Sequence, residues 1–202
     1  MHIQCPLESI TKAVAAAERL VGKKESLPVL SCILIEAKKH ECVLTATNLE
    51  AGVEISFPCK GEKEGKVAVP ATLLSHVIKN ARGEQVVMEL IEGSLLVKTK
   101  GGSAHLKTVP HDEFPSIPKT AGSLVEVDKK VLIDGITSVS YAAAQSNIRP
   151  EFASVYIHQE GQKLFFTATD SFRLAERVFP LDGSIEVPET LLPTKNSLEL
   201  VH

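Results

Sequence analysis

The pattern of residues 3–57 returns at residues 125–179 without a gap, 122 positions later. Pro28 falls on Pro150, Ile35 on Ile157, Thr45-Ala46-Thr47 on Thr167-Ala168-Thr169, Glu54 on Glu176 and Phe57 on Phe179. An apolar helical face recurs as well: Ile10, Val14, Ala17 and Val21 meet Leu132, Ile136, Val139 and Ala143. Further on, Val69-Pro-Ala-Thr-Leu-Leu74 matches Val187-Pro-Glu-Thr-Leu-Leu192, now 118 positions apart. Solenoid units run to roughly 20–50 residues, so a period of this length is that of a whole domain with its own core. A chain that uses such a pattern twice is expected to build an extended or ring-like object. The second unit stops soon after its copy of the Val69 segment, so the 202 residues read as a fragment of a longer repeat.

Periodicity orders the elements within a unit. Ile3–Cys5 reads as a short strand, with Pro6 able to occupy a first helical turn. From Leu7 to Val21 apolar residues recur at helical spacing, and Gly22 fits a stop signal with Lys23 and Lys24 beside it. Val29–Ala37 is a nearly continuous apolar run and reads as a buried strand, followed by strands at Glu41–Thr47 and Val53–Pro58. Gly61–Gly65 reads as a loop, Lys66–Val69 as a strand, and Pro70 as the opening of a second helix through about Asn80. Gln85–Leu90, Ser94–Thr99 and Ser103–Val109 form a meander turning at Glu92-Gly93 and Gly101-Gly102. The unit is thus strand–helix–three strands, used twice, in an α+β arrangement whose two helices cover antiparallel sheets with their apolar stripes. The proline-bearing stretch Asp112–Thr120 reads as the connection. The expected domains are 1–118, a linker at 119–123, and 124–202.

Several chemistries lack their residues. No nucleotide-binding glycine loop, serine-nucleophile elbow or zinc-protease motif occurs. Cys5, Cys32, Cys42 and Cys59 include no C-x-x-C pair, and Cys5, Cys32 and Cys42, in apolar strand-like contexts, read as reduced core thiols of a cytosolic protein. His111-Asp112-Glu113 is a poor metal cluster, because adjacent residues rarely face one ion, so no metal and no cofactor are expected. Asp170 and Arg173 suggest a turn-capping aspartate with a neighbouring arginine, since no partner base or nucleophile accompanies them. No apolar run approaches a membrane span and no secretory signal is visible.

A net charge of −3 argues against a general nucleic-acid binder but leaves room for a local basic face. At 100° per residue, Lys12 and Arg19 lie opposite the apolar stripe of the first helix. Lys23 and Lys24 follow, and His76, Lys79 and Arg82 cluster on the second helix. Glu8 and Glu18 dilute the first group. From composition alone a solvated helix face is the favoured reading of these residues, and a weakly basic surface for a phosphate backbone is the alternative.

Four motifs carry a resemblance: Ser26-Leu-Pro-Val-Leu30, Leu44-Thr-Ala-Thr-Asn-Leu-Glu50, Val109-Pro-His-Asp-Glu-Phe-Pro115 and Thr167-Ala-Thr-Asp-Ser-Phe-Arg-Leu-Ala175. Together with the repeat they make the chain resemble the N-terminal part of the bacterial DNA sliding clamps, the beta subunits of DNA polymerase III. The resemblance covers essentially all 202 residues. It implies the DNA-clamp fold, in which two three-domain subunits close head to tail into a ring around duplex DNA. It implies a cytoplasmic, non-enzymatic processivity factor, with DNA polymerase III and the clamp loader bound through short peptide motifs.

The resemblance makes Lys12, Arg19, Lys23, Lys24, Lys79, Arg82 and Arg149 candidates for facing DNA. It makes Phe152, Thr169, Ser171, Phe172, Arg173 and Leu174 this chain's share of the peptide groove. Phe152 and Leu174 would form apolar wall and Arg173 a polar handle. Phe172 departs from the histidine common in the family. Val77, Ala81, Ala104 and Leu106 become candidates for the subunit interface, where the edge strand near Ser103–Val109 would pair with another subunit. Without the third domain this chain is not expected to close a ring. A purely peptide-binding module and an enzyme with an unrecognised site are the alternatives.

Overall fold

The structure is a computed structural model and describes residues 1–22, 27–118, 125–181 and 186–201. The chain divides into two compact units, Met1–Pro118 and Lys119–His202. The first contains strands β1 (His2–Pro6), β2 (Cys32–Ala37), β3 (Glu41–Thr47), β4 (Gly52–Pro58), β5 (Lys60–Lys63), β6 (Gly65–Pro70), β7 (Gln85–Ile91), β8 (Ser94–Thr99) and β9 (Gly102–Lys107). Helix α1 (Leu7–Arg19) follows β1, and α2 (Ala71–Lys79) follows β6. The strands form two antiparallel sheets in the orders β5-β1-β7-β8-β9 and β4-β3-β2-β6. The two helices pack side by side against both. Ile10, Val14 and Ala17 of α1 and Leu74 and Ile78 of α2 share one core with Ile35, Leu44, Met88 and Leu95 of the sheets.

The local chemistry explains where the elements begin and end. Pro6 ends β1 rather than opening the helix, and α1 starts at Leu7, whose N–H donates to the Glu84 carbonyl at 2.8 Å. That bond occupies one of the donors a helix start leaves unpaired. The helix stops at Arg19, short of Gly22. A Cβ on Gly22 would lie 2.9 Å from the Leu30 Cβ, so this glycine serves close packing and not helix termination. The expected strand over Val29–Ala37 begins only at Cys32. Pro28–Ser31 forms a 3-10 turn in which the Ser31 hydroxyl donates to the Pro28 carbonyl, and buried Val29 and Leu30 give it a strand-like apolar pattern. The expected loop at Gly61–Gly65 contains most of β5, an edge strand paired with β1. Its Lys-Gly-Glu-Lys sequence lacks apolar alternation, as suits a charged edge. The stretch expected to be linker begins with a 3-10 turn at His111–Glu113. Phe114 then packs with Val29, Leu34, Ala68 and Val109, so residues through 118 belong to the first unit. Linker residues 119–123, and Leu124 at the expected start of the next domain, lie outside the described residues.

The second unit contains α3 (Lys129–Val139), β10 (Ser154–Glu160), β11 (Lys163–Thr169), β12 (Leu174–Pro180), β13 (Thr190–Pro193) and α4 (Thr194–Val201). Its sheet runs β12-β11-β10-β13. The Asp128 carboxylate caps α3 by accepting from the Lys130 and Val131 N–H groups. Ile136 and Val139 pack on Val155, Leu164 and Phe166. β10, β11 and β12 repeat β2, β3 and β4 in place, and their ladder registers match.

The repeat departs from expectation in two places. Residues 125–128, the counterparts of residues 3–6, form no strand. The match of Val69–Leu74 to Val187–Leu192 is also out of register. Cys32 pairs with Pro70, while its counterpart Ser154 pairs with Pro193. Leu191-Leu192-Pro193 is therefore the spatial copy of Ala68-Val69-Pro70, and each proline is followed by a helix.

Candidate functional site

The repeat places one tight turn in each unit, after β3 and after β11, and both are wired alike. In the second unit the Thr169 hydroxyl donates to the Arg173 carbonyl at 2.7 Å and accepts from the Ser171 N–H at 3.2 Å. Asp170 Oδ1 accepts from the N–H groups of Phe172 and Arg173, each at 3.0 Å. In the first unit Thr47 bonds Ala51 and Leu49, and Asn48 Oδ1 accepts from Glu50 and Ala51 at 3.0 and 2.8 Å. The frame forces the middle residue into the left-handed region, with φ of 79° at Ser171 and 73° at Leu49. Asp170 adds a further bond, Arg173 Nε to Oδ2 at 3.0 Å. The Phe172 N–H, then the Arg173 N–H and guanidinium, hold the Asp170 carboxyl below the usual carboxylate range. Both of its oxygens are engaged in shaping the turn, as the turn-capping reading requires.

This frame holds apolar side chains out of the core. Phe172 is 97% exposed and Leu174 67% exposed. Ser171 and Arg173 are exposed, and Thr169 is half-buried. Phe152 is half-buried under the Arg149 guanidinium, which sits 4.1 Å from its ring centroid and also pairs with Glu151 at 2.9 Å. Sequence reasoning missed two neighbours of this surface. Tyr141, 64% exposed, has the Arg173 guanidinium 5.9 Å above its ring, which joins it to the turn. Ile148 stands exposed beside Arg149. A cavity bordered by Tyr141, Ala144, Asn147, Ala153, Lys195 and Leu198 opens next to Tyr141. The readable signals were a lone tyrosine after a helix and an isoleucine inside a polar, proline-bearing loop.

The basic candidates differ in how free they are. Lys12 on α1 is exposed but paired with Glu8 at 2.7 Å. Lys79 on α2 is held by Glu18 of α1 at 3.0 Å, and the same Glu18 oxygen accepts the Ser75 hydroxyl at 2.6 Å. The Ser75 bond first, then Lys79, lowers the Glu18 carboxyl pKa against partial burial. Arg19 is exposed near the end of α1. Arg82 lies beyond the end of α2, not on the helix, and its side chain packs beside Gly101. Lys23 and Lys24 lie outside the described residues.

Val77, Ala81 and Ala104 border a shallow depression of about 210 Å³ beside β9, an edge of its sheet. Leu106, on the same face of β9 as Ala104, is buried in the first unit's core at 5% exposure. All four cysteines are buried, free thiols, and burial pushes the Cys5 thiol up to about 12. Among the described residues no group of three or more His, Cys, Asp or Glu side chains is placed to hold a metal ion. His111 and Asp112 contact each other at 3.4 Å on an exposed turn. No helix among the described residues is long and apolar enough to cross a membrane.

Comparison with known proteins matches both units in order. The family model for the N-terminal domain of the DNA polymerase III beta subunit matches residues 1–118, and the model for its central domain matches residues 126–202. The beta sliding clamp of Micrococcus luteus is 28% identical over 179 residues, covering 87% of this chain and 58% of that protein. That of Staphylococcus aureus is 29% identical over 192 residues, covering 90% and 51%. The chain spans about half the length of these curated relatives. The DNA polymerase III subunit beta of Pseudomonas aeruginosa has the same fold, with a TM-score of 0.90 at 27% identity, covering 100% of this chain and 56% of that one. The sliding clamp of Bacillus subtilis shares the fold at a TM-score of 0.91 and 22% identity.

Proposed function

The chain belongs to the DNA polymerase III beta-subunit family, and we propose on that footing that it supplies two domains of a ring-shaped processivity clamp. Such a clamp encircles duplex DNA and tethers the polymerase through peptide contacts; it catalyses nothing. The observation that carries the tethering half is Phe172, held 97% exposed beside Leu174 by a rigid turn. Large apolar side chains displayed on a fixed frame are costly to a soluble protein unless a partner covers them. Phe152, Thr169, Ser171, Phe172, Arg173 and Leu174 form this chain's part of the groove, and Tyr141 extends it.

The DNA-facing half rests on Lys12, Arg19, Lys23, Lys24, Lys79, Arg82 and Arg149. Their role is attraction to phosphates without base readout, since base contacts would halt sliding. Glu8, Glu18 and Glu151 compensate three of these cations and keep that attraction weak. In the whole protein, β9 with Val77, Ala81 and Ala104 forms the head-to-tail dimer contact. The clamp works in the cytoplasm with DNA polymerase III and the clamp loader.

The test titrates a peptide carrying glutamine, leucine and a terminal phenylalanine into this chain and into Leu174→Ala. Weak binding that the substitution abolishes supports the groove; unchanged affinity removes it. Salt-dependent binding to unrelated duplexes, weakened alike by replacing Lys12 and Arg19 with serine, separates a clamp from a purely peptide-binding module.

A further inference from the structure

We infer that Ile117 is a built-in plug of the first unit's turn, and that the exchange of Gly52 for Leu174 leaves only the second unit's turn open to a peptide. The inference rests on the groove reading of the second turn and identifies what makes that turn selective over its twin.

The two turns are the same device. They share the Thr and Asn/Asp bonds and the left-handed third residue. Their closing positions also correspond in register, Thr47 opposite Gly52 and Thr169 opposite Leu174. At those positions the units diverge. A Cβ on Gly52 would stand 2.6 Å from the Ile117 Cδ1 and 3.2 Å from both Cγ atoms. The half-buried Ile117 side chain therefore occupies the space that any side chain at position 52 would need. Ile117 reaches it because Phe114, three residues earlier, is anchored among Val29, Cys32, Ala68 and Val109, with the Val109 N–H bonded to the Ala68 carbonyl at 2.9 Å.

The segment Phe114-Pro-Ser-Ile-Pro118 is thus a tethered ligand with two apolar anchors, already seated. At position 174 a leucine fills that space from within, 67% exposed, and a segment following the same path would collide with it. A steric block against the wrong occupant is a recognised source of selectivity. Here it acts against the protein's own chain.

The experiment uses the 202-residue chain, its Ile117→Ser and Gly52→Leu variants, and the glutamine–leucine–phenylalanine peptide, read by amide NMR. In the unaltered chain, peptide shifts should be confined to Thr169–Leu174. In either variant, hydrogen exchange at the Phe114 amide should rise about tenfold as the segment loosens, and new peptide shifts should appear at Asn48–Val53. Retained protection of Leu44 and Ala46 certifies the fold. If Gly52→Leu disrupts it, Ile117→Ser carries the test, because Ile117 lies outside the sheets. Shifts at Thr169–Leu174 in every form, with none at Asn48–Val53 in a folded variant, overturn this inference and leave the groove reading standing. Absence of shifts at both turns removes the groove reading, and this inference with it.

Discussion

Replacing Phe172 with serine should leave stability untouched and weaken peptide binding about thirtyfold. The first half follows from exposure: at 97% accessible, the ring contributes almost nothing to the core. Its N–H bond to Asp170 is a backbone bond that serine retains. Surface changes away from structural features stay within about 0.5 kcal/mol. For contrast, the fully buried ring of Phe166 should cost about 3–5 kcal/mol on truncation to alanine. The second half follows from the surface Phe172 can lose to a partner. Burying about 80 Å² of it at about 25 cal/mol per Å² yields about 2 kcal/mol, and about 1.4 kcal/mol is tenfold in affinity. Urea unfolding followed by circular dichroism reads stability, and an NMR titration reads even a millimolar Kd. Phe172→Leu should retain most of the affinity. A stability loss above about 1 kcal/mol in Phe172→Ser would mean the ring packs on its own unit. Unchanged affinity would mean that no partner covers it.

Other consequences can be checked independently. Because the folded Asp170 carboxyl sits below its ordinary range, its hold on the turn is complete above that range. The hold is lost as pH falls through the lowered folded value, while the Asn48-based turn keeps its shape. Amide shifts at Phe172 and Glu50 followed down to about pH 2 should diverge accordingly, and parallel behaviour would contradict the assignment. Glu18→Gln keeps an acceptor for Ser75 but releases Lys79. Duplex binding should tighten, with a salt slope steeper by about 0.9, and an unchanged slope would place Lys79 away from the phosphates. Gly135→Ala drives a Cβ to 2.5 Å from the Phe166 ring and should cost about 1–3 kcal/mol by overpacking. A neutral result in urea unfolding would show that the ring can move aside.

How much of this could be read from the residues depended on which signal each element leaves. The three-strand core of each unit was legible because Ile35 and Leu44 and their copies Ile157 and Phe166 are buried, with Phe57 and the half-buried Phe179 packed on the core in equivalent places, and burial restricts residue type. The edge strand Lys60–Lys63 was not, because one free side and no apolar face leave nothing periodic to detect. The similarity of Val187–Leu192 to Val69–Leu74 misled because Leu-Leu-Pro and Val-Pro suit the end of a strand before a helix equally well; only the ladder to β10 fixes the register. At the site, Thr169, Asp170 and Arg173 were visible through their motif. The exposure of Phe172 and the nearness of Tyr141 depend on tertiary placement, which no local pattern encodes. Ala104 and Leu106 share one face of β9, so strand alternation marks both alike; that Leu106 is buried and Ala104 only half-buried depends on tertiary packing.

The wiring of the two turns has a consequence for engineering. Each backbone path is specified by a threonine and an Asn or Asp through four side-chain bonds, while the third and fourth positions donate only backbone N–H groups. Leucine and glutamate occupy those positions in one unit, serine and phenylalanine in the other, on one unchanged path. The turn is therefore an exchangeable cassette. A library varied at Ser171 and Phe172 alone would search partner preference on a fixed chassis, and pairs of clamps and tether peptides blind to one another could be selected from it without redesigning the ring.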